Sequence, residues 1–284
     1  MFSERSSAGD PARTLELLWR ERGAAGGGQR GPRRGATVDQ IVAAAIEVAD
    51  AEGLAAVTMR RIAQSLGRAP MSLYTYVPGK AELVDLMLDS VYEQMRRTTP
   101  SSRASWRRRV EAVAGDNLTM YDQHPWMATV STSRPTLGPG AIAKYDHELR
   151  AFDGLGLDDV DTDAALTFLL SFVQSSARAA AEVATAARES AMNDEQWWTA
   201  NAPLLERVFD ATRYPVAVRV GAAAGAAHGA AYDPSHAYAF GLQRVLDGLA
   251  ALVDGRTRRA RGGSRRTRPV EAAEKRSTPR RRGR

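Results

Sequence analysis

Apolar residues recur at helical spacing through most of the chain, and turn-forming residues separate the apolar runs. The first clear pattern begins at Thr37, which forms a predicted capping box with Gln40. The threonine hydroxyl can accept the glutamine backbone N–H, and the glutamine side chain can reach back to the threonine N–H. Ile41, Val48 and their apolar neighbours then follow at helical spacing as far as Gly53. These signals predict a helix that ends at Gly53.

Three further helical patterns follow closely, at residues 58–66, at residues 70–77 and from about Lys80 onward. The last of them places its apolar residues on one side of the helix, at Leu83, Leu86, Met87 and Val91. Residues 37–97 are therefore predicted to form a small helical domain.

Longer helical patterns occupy residues 101–254. They are interrupted at Pro125 and at three stretches rich in glycine, proline or alanine, residues 135–140, 154–156 and 221–231. The two most apolar helices are predicted at residues 161–187, capped by Asp161 or Thr162, and at residues 235–253, capped by Ser235. Residues 216–220 alternate weakly between apolar and other positions, but no partner strand is evident. The predicted fold class is all-α.

The two ends of the chain lack such patterns. Residues 1–36 are rich in Ser, Gly, Ala and Arg and are predicted to be a mostly disordered basic arm. Their one helix-forming stretch, residues 14–22 with Thr14 as its predicted cap, is too short to be stable alone. It either docks as a turn with Leu18 and Trp19 buried or stays unstructured. Residues 256–284 have no hydrophobic periodicity and are predicted to be a disordered Arg-rich tail.

The composition is that of a protein with well-formed apolar cores. The chain has 284 residues, of which 44% are hydrophobic, and this length allows two domains. The absence of cysteine excludes disulfides, thiolate zinc sites and cysteine nucleophiles. No apolar run is long enough to span a membrane, and the first residues lack the apolar core of a secretory signal. The expected location is the cytoplasm.

The charge is distributed unevenly along the chain. The formal net charge is +6, but residues 256–284 alone carry 13 basic and 2 acidic residues. Residues 37–97 carry 6 basic and 8 acidic residues, and residues 98–255 carry 13 basic and 19 acidic residues. The chain is thus an acidic body with basic ends, and its net charge alone does not indicate a nucleic-acid partner.

Residues 58–77 have the spacing of a helix-turn-helix motif. Ala63 is small where two helices would cross closely, and Gly67 can take the left-handed conformation that a sharp turn needs. Pro70 suits the first turn of the following helix because its missing N–H would be unpaired there. Ile62, Leu66 and Leu73 would pack between the two helices.

The block from Ile41 to Met87 resembles the DNA-binding domain of TetR-family transcriptional repressors. The remainder resembles, more loosely, the tetracycline-repressor-like C-terminal class of that family. That second resemblance is carried by three segments, His124-Pro125-Trp126, residues 134–139 and residues 240–253. Together they imply a three-helix helix-turn-helix domain at residues 37–97 and a larger helical domain for ligand binding and dimerisation at residues 98–255.

The resemblance implies double-stranded DNA with a palindromic operator as the partner, and it places the second helix of the motif in the major groove. Arg60 falls where the family has an arginine that can pair with guanine. The implied DNA-binding residues are Thr58, Arg60, Arg61, Arg68, Ala69, Pro70, Met71, Ser72, Tyr74, Tyr76 and Lys80.

Several of these residues also have a purely structural interpretation. Tyr74 is either a phosphate contact or a core aromatic residue, and Arg61 is either a backbone contact or a solvated surface charge. Met71 either touches a base or fills space between helices. The basic residues 30–34 can lie along a minor groove, by analogy with other DNA-binding arms, and the tail can act as a non-specific electrostatic anchor.

The family also dimerises through two helices and holds a small-molecule effector. Residues 161–187 and 235–253 are the candidate dimer helices, with ordinary core helices as the alternative. The candidate pocket residues are large aromatic and apolar side chains with a histidine: Met120, His124, Trp126, Phe152, Phe168, Phe172, Trp197 and Trp198. Tyr145, His147 and Gln174 are additional polar candidates, and residues 193–198 form either a lid or the start of a helix.

Other functional classes have less support in the sequence. No Gly-rich phosphate loop, zinc-protease motif or serine-hydrolase elbow is present, so no catalytic residues are expected. The four histidines have no zinc-motif spacing, and neither a metal nor a cofactor is expected. A non-specific DNA-packaging protein would explain the Arg-rich tail but not the acidic, aromatic C-terminal body. The sequence therefore predicts a ligand-responsive, homodimeric repressor.

Overall fold

The computed structural model describes residues 4–20, 36–190, 192–230 and 232–264, and these are helical with short connections. The α-helices of the first part are α1 (Pro11–Leu18), α2 (Val38–Glu52), α3 (Met59–Ser65), α4 (Pro70–Leu73) and α5 (Lys80–Gln94). Those of the second part are α6 (Trp106–Gln123), α7 (Pro139–Leu149), α8 (Asp159–Ser190), α9 (Asp194–Glu206), α10 (Pro215–His228) and α11 (Pro234–Ser264). In these ranges the only β interaction is an isolated bridge between Arg5 and Ser131, which confirms the all-α prediction.

The predicted helix-turn-helix domain packs around one apolar cluster. Ile41 of α2, Ile62 of α3, Leu73 of α4 and Leu83 of α5 are all fully buried in it. The cluster continues into the second part of the chain, because Trp126 and its buried neighbours join it. The two parts are therefore in direct apolar contact, and α5 also packs along α7.

A second apolar cluster holds the C-terminal part together. Val110 of α6, Leu169 and Val173 of α8 and Leu246 of α11 have no exposed surface. The two helices predicted to be the most apolar therefore each bury one face in this core. Within the described residues no helix is long and apolar enough to cross a bilayer.

The N-terminal segment (residues 4–20) is docked on the rest of the protein. Leu18 is 1% exposed but Trp19 is 55% exposed, so only the first of these two predicted contacts is buried. The predicted capping role of Thr14 is wrong: Asp10 caps α1 by accepting the backbone N–H of Arg13 at 2.7 Å. Residues 21–35, which include the basic arm, lie outside the described residues.

Several predicted boundaries also need correction. Helix α8 begins at Asp159 because Asp158 accepts the N–H of Asp161 at 2.9 Å, and α11 begins at Pro234 because Asp233 accepts the N–H of Ser235 at 2.9 Å. The expected break at residues 221–231 falls largely inside α10, and α4 ends at Leu73, short of residue 77. Alanine dominates that part of α10, and its helical propensity outweighs two glycines.

The expectation of disorder after residue 255 is wrong for residues 256–264, where α11 continues. The prediction of disorder rested on the lack of apolar periodicity in that stretch. Its Arg and Ala residues have high helical propensity, and this favours a helix without such periodicity. Residues 265–284 of the tail lie outside the described residues.

Candidate DNA-reading surface and ligand cavity

The turn of the helix-turn-helix is fixed by local backbone geometry. Thr58 caps α3 by accepting the N–H of Arg61 at 3.1 Å. Gly67 has φ +62°, the left-handed conformation predicted for it, and Arg68 then donates its N–H to the carbonyl of Ala63 at 2.8 Å. Pro70 occupies the first turn of α4, as predicted. This turn packs α4 against α3 and buries Leu73 in the core of the domain.

Helix α4 presents an exposed face made of the residues predicted to reach base edges. Met71 is 76% exposed, which excludes its alternative role as a filler between helices. Ala69, Pro70 and Ser72 are exposed as well. The Ser72 hydroxyl donates to the Ala69 carbonyl at 2.7 Å and keeps its lone pairs available to a donor.

The basic residues around α4 differ in how firmly they are held. Arg60 is exposed and makes no ion pair with any described residue. Arg61 pairs with Glu52, with 2.5 Å between Nη2 and Oε1, and hydrogen bonding by Arg61 lowers the pKa of the Glu52 carboxyl. Arg68 is exposed on the turn. The Lys80 ammonium lies 2.9 Å from Glu4 Oε1 and donates to the Leu54 carbonyl at 3.2 Å.

The two tyrosines that follow α4 have different environments. Tyr74 is half-exposed, whereas Tyr76 is partly buried against the core of the domain. The exposure of Tyr74 excludes a fully buried core role and leaves its ring accessible to a phosphate. The predicted DNA-binding residues thus lie along one continuous stretch, from Thr58 to Lys80.

A cavity of about 850 Å³ lies in the C-terminal part, between α6, α7, α8 and the segment that precedes α7. One residue of α5, Tyr92, also lines it. Its walls are rich in hydroxyl groups. The polar lining residues are Tyr92, Asn117, Tyr121, Thr129, Ser131, Thr132, Ser133, Thr136, Lys144, Tyr145, Glu148, Thr167, Ser171, Gln174, Ser175 and Arg178.

A buried charged pair lies in the cavity wall. The Glu148 carboxylate accepts from Lys144 Nζ at 2.8 Å and from Asn117 Nδ2 at 2.5 Å. Burial raises the pKa of Tyr92 and of Tyr121, and the charge of Glu148 raises both further. The two phenols therefore stay protonated and can donate hydrogen bonds to an acceptor in the cavity.

The eight predicted pocket residues do not line this cavity. Met120, Trp126 and Phe152 are buried in the two apolar clusters, and Phe168 is exposed. The remaining four are also elsewhere: His124 bonds to Asp50 at 2.8 Å, Phe172 stacks on Tyr238, and Trp197 stacks on Trp198. The structure does not gather the eight at one site, although Met120 and His124 line a separate cavity of about 170 Å³ and Trp126 shares Asp50 with His124.

Two of the additional polar candidates, Tyr145 and Gln174, do line the cavity, whereas His147 does not. Of the alternatives for residues 193–198, the start of a helix is what is observed, with Asn193 and Gln196 forming a capping box. Size and aromaticity are typical of core residues, whereas the hydroxyl-rich sequence 131–133 is a signal that could have indicated the cavity.

Three carboxylates on α5 bond to the N-terminal segment and to α7, and they were not identified from the sequence. Glu82 accepts the N–H of Asp10 at 3.1 Å, Asp85 accepts the N–H of Ser7 at 2.9 Å, and Asp89 accepts the N–H of Ala141 at 2.9 Å. Asp85 also accepts from the hydroxyl of Thr136, a cavity residue, at 3.3 Å. Their spacing on one helix face was visible in the sequence as acidic residues within an apolar pattern.

Comparison with known proteins gives two family matches. Residues 41–87 match the family described as bacterial regulatory proteins, tetR family. Residues 99–253 match the tetracyclin repressor-like C-terminal domain. The chain belongs to the TetR family. It is a helix-turn-helix transcriptional regulator whose family binds double-stranded DNA as a homodimer and responds to ligands.

Individual relatives agree with this assignment. The chain is 41% identical over 251 residues to the HTH-type transcriptional repressor DrrR1 of Streptomyces coeruleorubidus, and the match covers 88% of this chain and 90% of the relative. The apo structure of ActR from Streptomyces coelicolor is 26% identical, with a TM-score of 0.62 over 78% of this chain and 97% of ActR. ActR in complex with actinorhodin is 27% identical, also with a TM-score of 0.62, over 76% of this chain and 96% of ActR.

The two helices expected to form the dimer of this TetR-family regulator have apolar residues on both faces. Leu169 of α8 and Leu246 of α11 face the core, while Phe168 of α8 and Phe240 of α11 are more than half exposed. An aromatic side chain exposed next to a buried leucine is typical of a helix that packs on two sides. These exposed faces are available to a second copy of the chain.

Proposed function

We propose that this regulator represses transcription by binding a palindromic operator as a homodimer, and that a small molecule in the 850 Å³ cavity releases it. The observation that carries this proposal is the contact between the cavity and α5. Tyr92, Thr136 and Ala141 line the cavity, and the last two bond to Asp85 and Asp89 of α5. Helix α5 begins at Lys80, directly after the DNA-reading surface.

We assign DNA reading to residues 37–97 and ligand binding and dimerisation to residues 98–255. In the major groove, α4 presents its exposed face to base edges, and Arg60 pairs with guanine through its two donor groups. Arg61, Arg68 and Lys80 contact phosphates with Thr58, Tyr74 and Tyr76, and these contacts set the orientation of α4. Exposure of Arg60 and Met71 supports this assignment.

The lining of the cavity favours an effector that carries several oxygen atoms on a flat body. Hydroxyl groups of Ser, Thr and Tyr side chains line much of the wall, and Lys144 offers a cationic donor beside Tyr92. Flat oxygenated molecules can accept hydrogen bonds from these donors while their faces pack on the tyrosine rings. ActR binds actinorhodin and (S)-DNPA, and we propose an effector of comparable kind for this chain.

Release of the regulator from its operator follows if the effector binds one of two protein conformations more tightly than the other. A molecule that fills the cavity displaces Thr136 and Ala141, and their hydrogen bonds move α5 with them. Moving α5 changes the distance between the two α4 helices of a dimer, which must match half-sites about one DNA turn apart. The effector binds more tightly to the conformation in which the two α4 helices do not match the half-sites. It weakens DNA binding by the same free energy by which it favours that conformation.

We propose that the dimer forms through the exposed faces of α8 and α11, at residues 161–187 and 235–253. Phe168 and Phe240 supply the large apolar contacts that such interfaces need. The protein acts in the cytoplasm, where its DNA lies, and its role is regulatory and not catalytic. These assignments rest on the family and on the exposed apolar faces.

Selection of bound fragments from random DNA by the full-length chain tests the proposal directly. We expect a palindromic consensus whose half-sites lie about one helical turn apart. The cavity is tested with the same fragment: actinorhodin as the probe should release the wild-type protein. The variant Thr167→Trp, which fills the cavity, should need a much higher concentration. A non-palindromic set of fragments would exclude a dimeric sequence reader, and unchanged release from the Thr167→Trp variant would exclude this cavity.

A further inference from the structure

A second, smaller cavity lies where the N-terminal segment meets α5 and the segment that precedes α7. Its volume is about 230 Å³, and it shares only Pro135 with the large cavity. Pro11, Leu15 and Leu18 of the N-terminal segment and Leu137 form most of its apolar wall. A cavity of about 150 Å³ holds a benzene molecule, so this volume accommodates a single ring with a short substituent.

Two buried polar groups interrupt the apolar wall. The Oγ1 atom of Thr14 is buried, and no hydrogen-bond partner for it exists among the described residues. A buried hydroxyl without a partner is costly, and it is satisfied when a ligand supplies a donor or an acceptor. The second group is the carboxylate of Asp85, which is fully buried.

The charge of the wall is set by Asp85. Its carboxylate accepts the N–H of Ser7 and the hydroxyl of Thr136, but it forms no ion pair with any described residue. Glu82 lies one helical turn away and adds a second negative charge. Arg134 also lines the cavity but is exposed, so water screens its charge far more than that of the buried carboxylate.

We propose that this cavity is a second small-molecule site, which binds an organic amine with a single-ring apolar body. The ammonium group donates to the Asp85 carboxylate and to Thr14 Oγ1, and it neutralises the buried charge. The ring packs among Leu15, Leu18 and Leu137. The site is separate from the effector cavity and does not depend on the DNA-binding function.

Trp19 provides a local reporter for this site. Its indole N–H donates to the carbonyl of Leu137 at 2.8 Å, and Leu137 is part of the cavity wall. Benzylamine is a suitable probe, with toluene and benzoate as matched controls without the positive charge. In the ¹⁵N-labelled full-length protein, benzylamine should shift the Trp19 indole resonance saturably, and the loss of one signal in Trp19→Phe assigns that resonance.

Two variants test the two polar groups. Asp85→Asn keeps an acceptor for the Ser7 N–H but removes the charge, and it should weaken benzylamine binding at least about tenfold. Thr14→Val keeps the side-chain shape and should weaken binding about threefold to tenfold. Because it removes an unsatisfied hydroxyl, Thr14→Val should fold at least as stably as the wild type, and it therefore remains informative if Asp85→Asn does not fold.

A control variant separates the two cavities. Tyr145→Phe alters the wall of the large cavity only and should leave the benzylamine affinity unchanged. The amine site would be overturned if toluene bound as tightly as benzylamine. It would also be overturned if Thr14→Val and a folded Asp85→Asn both bound benzylamine like the wild type. Loss of benzylamine binding in Tyr145→Phe would instead place the amine in the large cavity. Failure of operator selection would not affect these results.

Discussion

The proposed DNA-reading surface and the proposed ligand cavity are built in opposite ways. The reading surface comes from one continuous stretch between Thr58 and Lys80, and several of its contact residues are exposed side chains on a short helix. The cavity is assembled from residues between Tyr92 and Arg178 on four helices and a connecting segment, and it contains a buried charged pair. The reading surface is local and exposed to solvent, whereas the cavity is built from distant parts of the chain and is partly buried.

This difference predicts how each site responds to substitution. Removing an exposed side chain from the reading surface leaves no buried group without a partner, so function should be lost with little change in stability. Removing a polar group from the cavity wall leaves its partner buried, so stability and ligand response should change together. The following experiments test that contrast, from the largest expected effect to the smallest.

Glu148→Gln should produce the largest loss of stability. Lys144 is 11% exposed and Glu148 is 3% exposed, so the variant leaves an ammonium group buried without its counter-charge. The free energy of unfolding should fall by about 3–5 kcal/mol. Urea denaturation of the dimer at fixed protein concentration measures this loss.

An exposed pair at the end of the same helix is the matched control for that experiment. Asp146 and Arg150 have the same spacing and a similar distance of 2.7 Å, but their side chains are 63% and 70% exposed. Asp146→Asn should therefore change stability by less than about 1 kcal/mol. The double variant Glu148→Gln/Lys144→Met should recover part of the loss, and equal losses from Glu148→Gln and Asp146→Asn would contradict a dry cavity wall.

Gly140→Ala tests the contact between α7 and α5, which joins the cavity to the DNA-binding domain. A Cβ atom at residue 140 would lie 2.2 Å from the backbone oxygen of Asp89, so the helices must separate. We expect a loss of about 1–3 kcal/mol in the free energy of unfolding, together with a changed response to effector. Gly115→Ala, on α6 with nothing within 4 Å, should instead stabilise the protein by up to about 1 kcal/mol. Similar effects of the two variants in thermal unfolding would show that α7 does not press on α5.

The same contrast explains what the sequence revealed and what it concealed. The capping box at Thr37 and the turn at Gly67 and Pro70 each depend on residues only a few positions apart, so the sequence predicted the observed cap and turn. The reading surface inherits its geometry from that turn. Its residues could therefore be proposed as DNA contacts before any tertiary contact was known.

The cavity could not be assigned in this way because its walls meet only after the chain folds. Phe152 and Trp126 were chosen for their apolar area, but apolar area is what places a residue in the core. The residues that line the cavity are small hydroxyl side chains such as Ser171 and Ser175 on α8, which look like solvated positions in the sequence. The docking of the N-terminal segment could not be predicted for the same reason, because its backbone N–H groups bond to carboxylates about 70 or more residues away along the chain.

Arg60→Ala should weaken operator binding without affecting the fold. The loss of a two-donor contact to guanine should reduce operator affinity by about 1–3 kcal/mol, or roughly fivefold to 150-fold. Arg61→Ala is the control, because Arg61 already pairs with Glu52 and contributes at most one phosphate contact. Fluorescence anisotropy with the selected fragment measures both variants, and thermal unfolding should show less than about 0.5 kcal/mol of change. An Arg60→Ala protein that binds like the wild type would remove Arg60 from the reading surface.

The smallest expected effect concerns the ion pair between Glu4 and Lys80, at the edge of the reading surface. The Glu4 carboxylate lies 2.9 Å from the Lys80 ammonium and must leave it when Lys80 contacts a phosphate. Glu4→Gln should therefore raise operator affinity, but by less than about fivefold, because a partly exposed ion pair contributes under about 1 kcal/mol. Glu16→Gln removes a similar charge from the same segment, where its partner is Arg13 and not Lys80, and should leave affinity unchanged. If both variants raise affinity equally, the effect is a general loss of negative charge, and the N-terminal segment does not compete with DNA for Lys80.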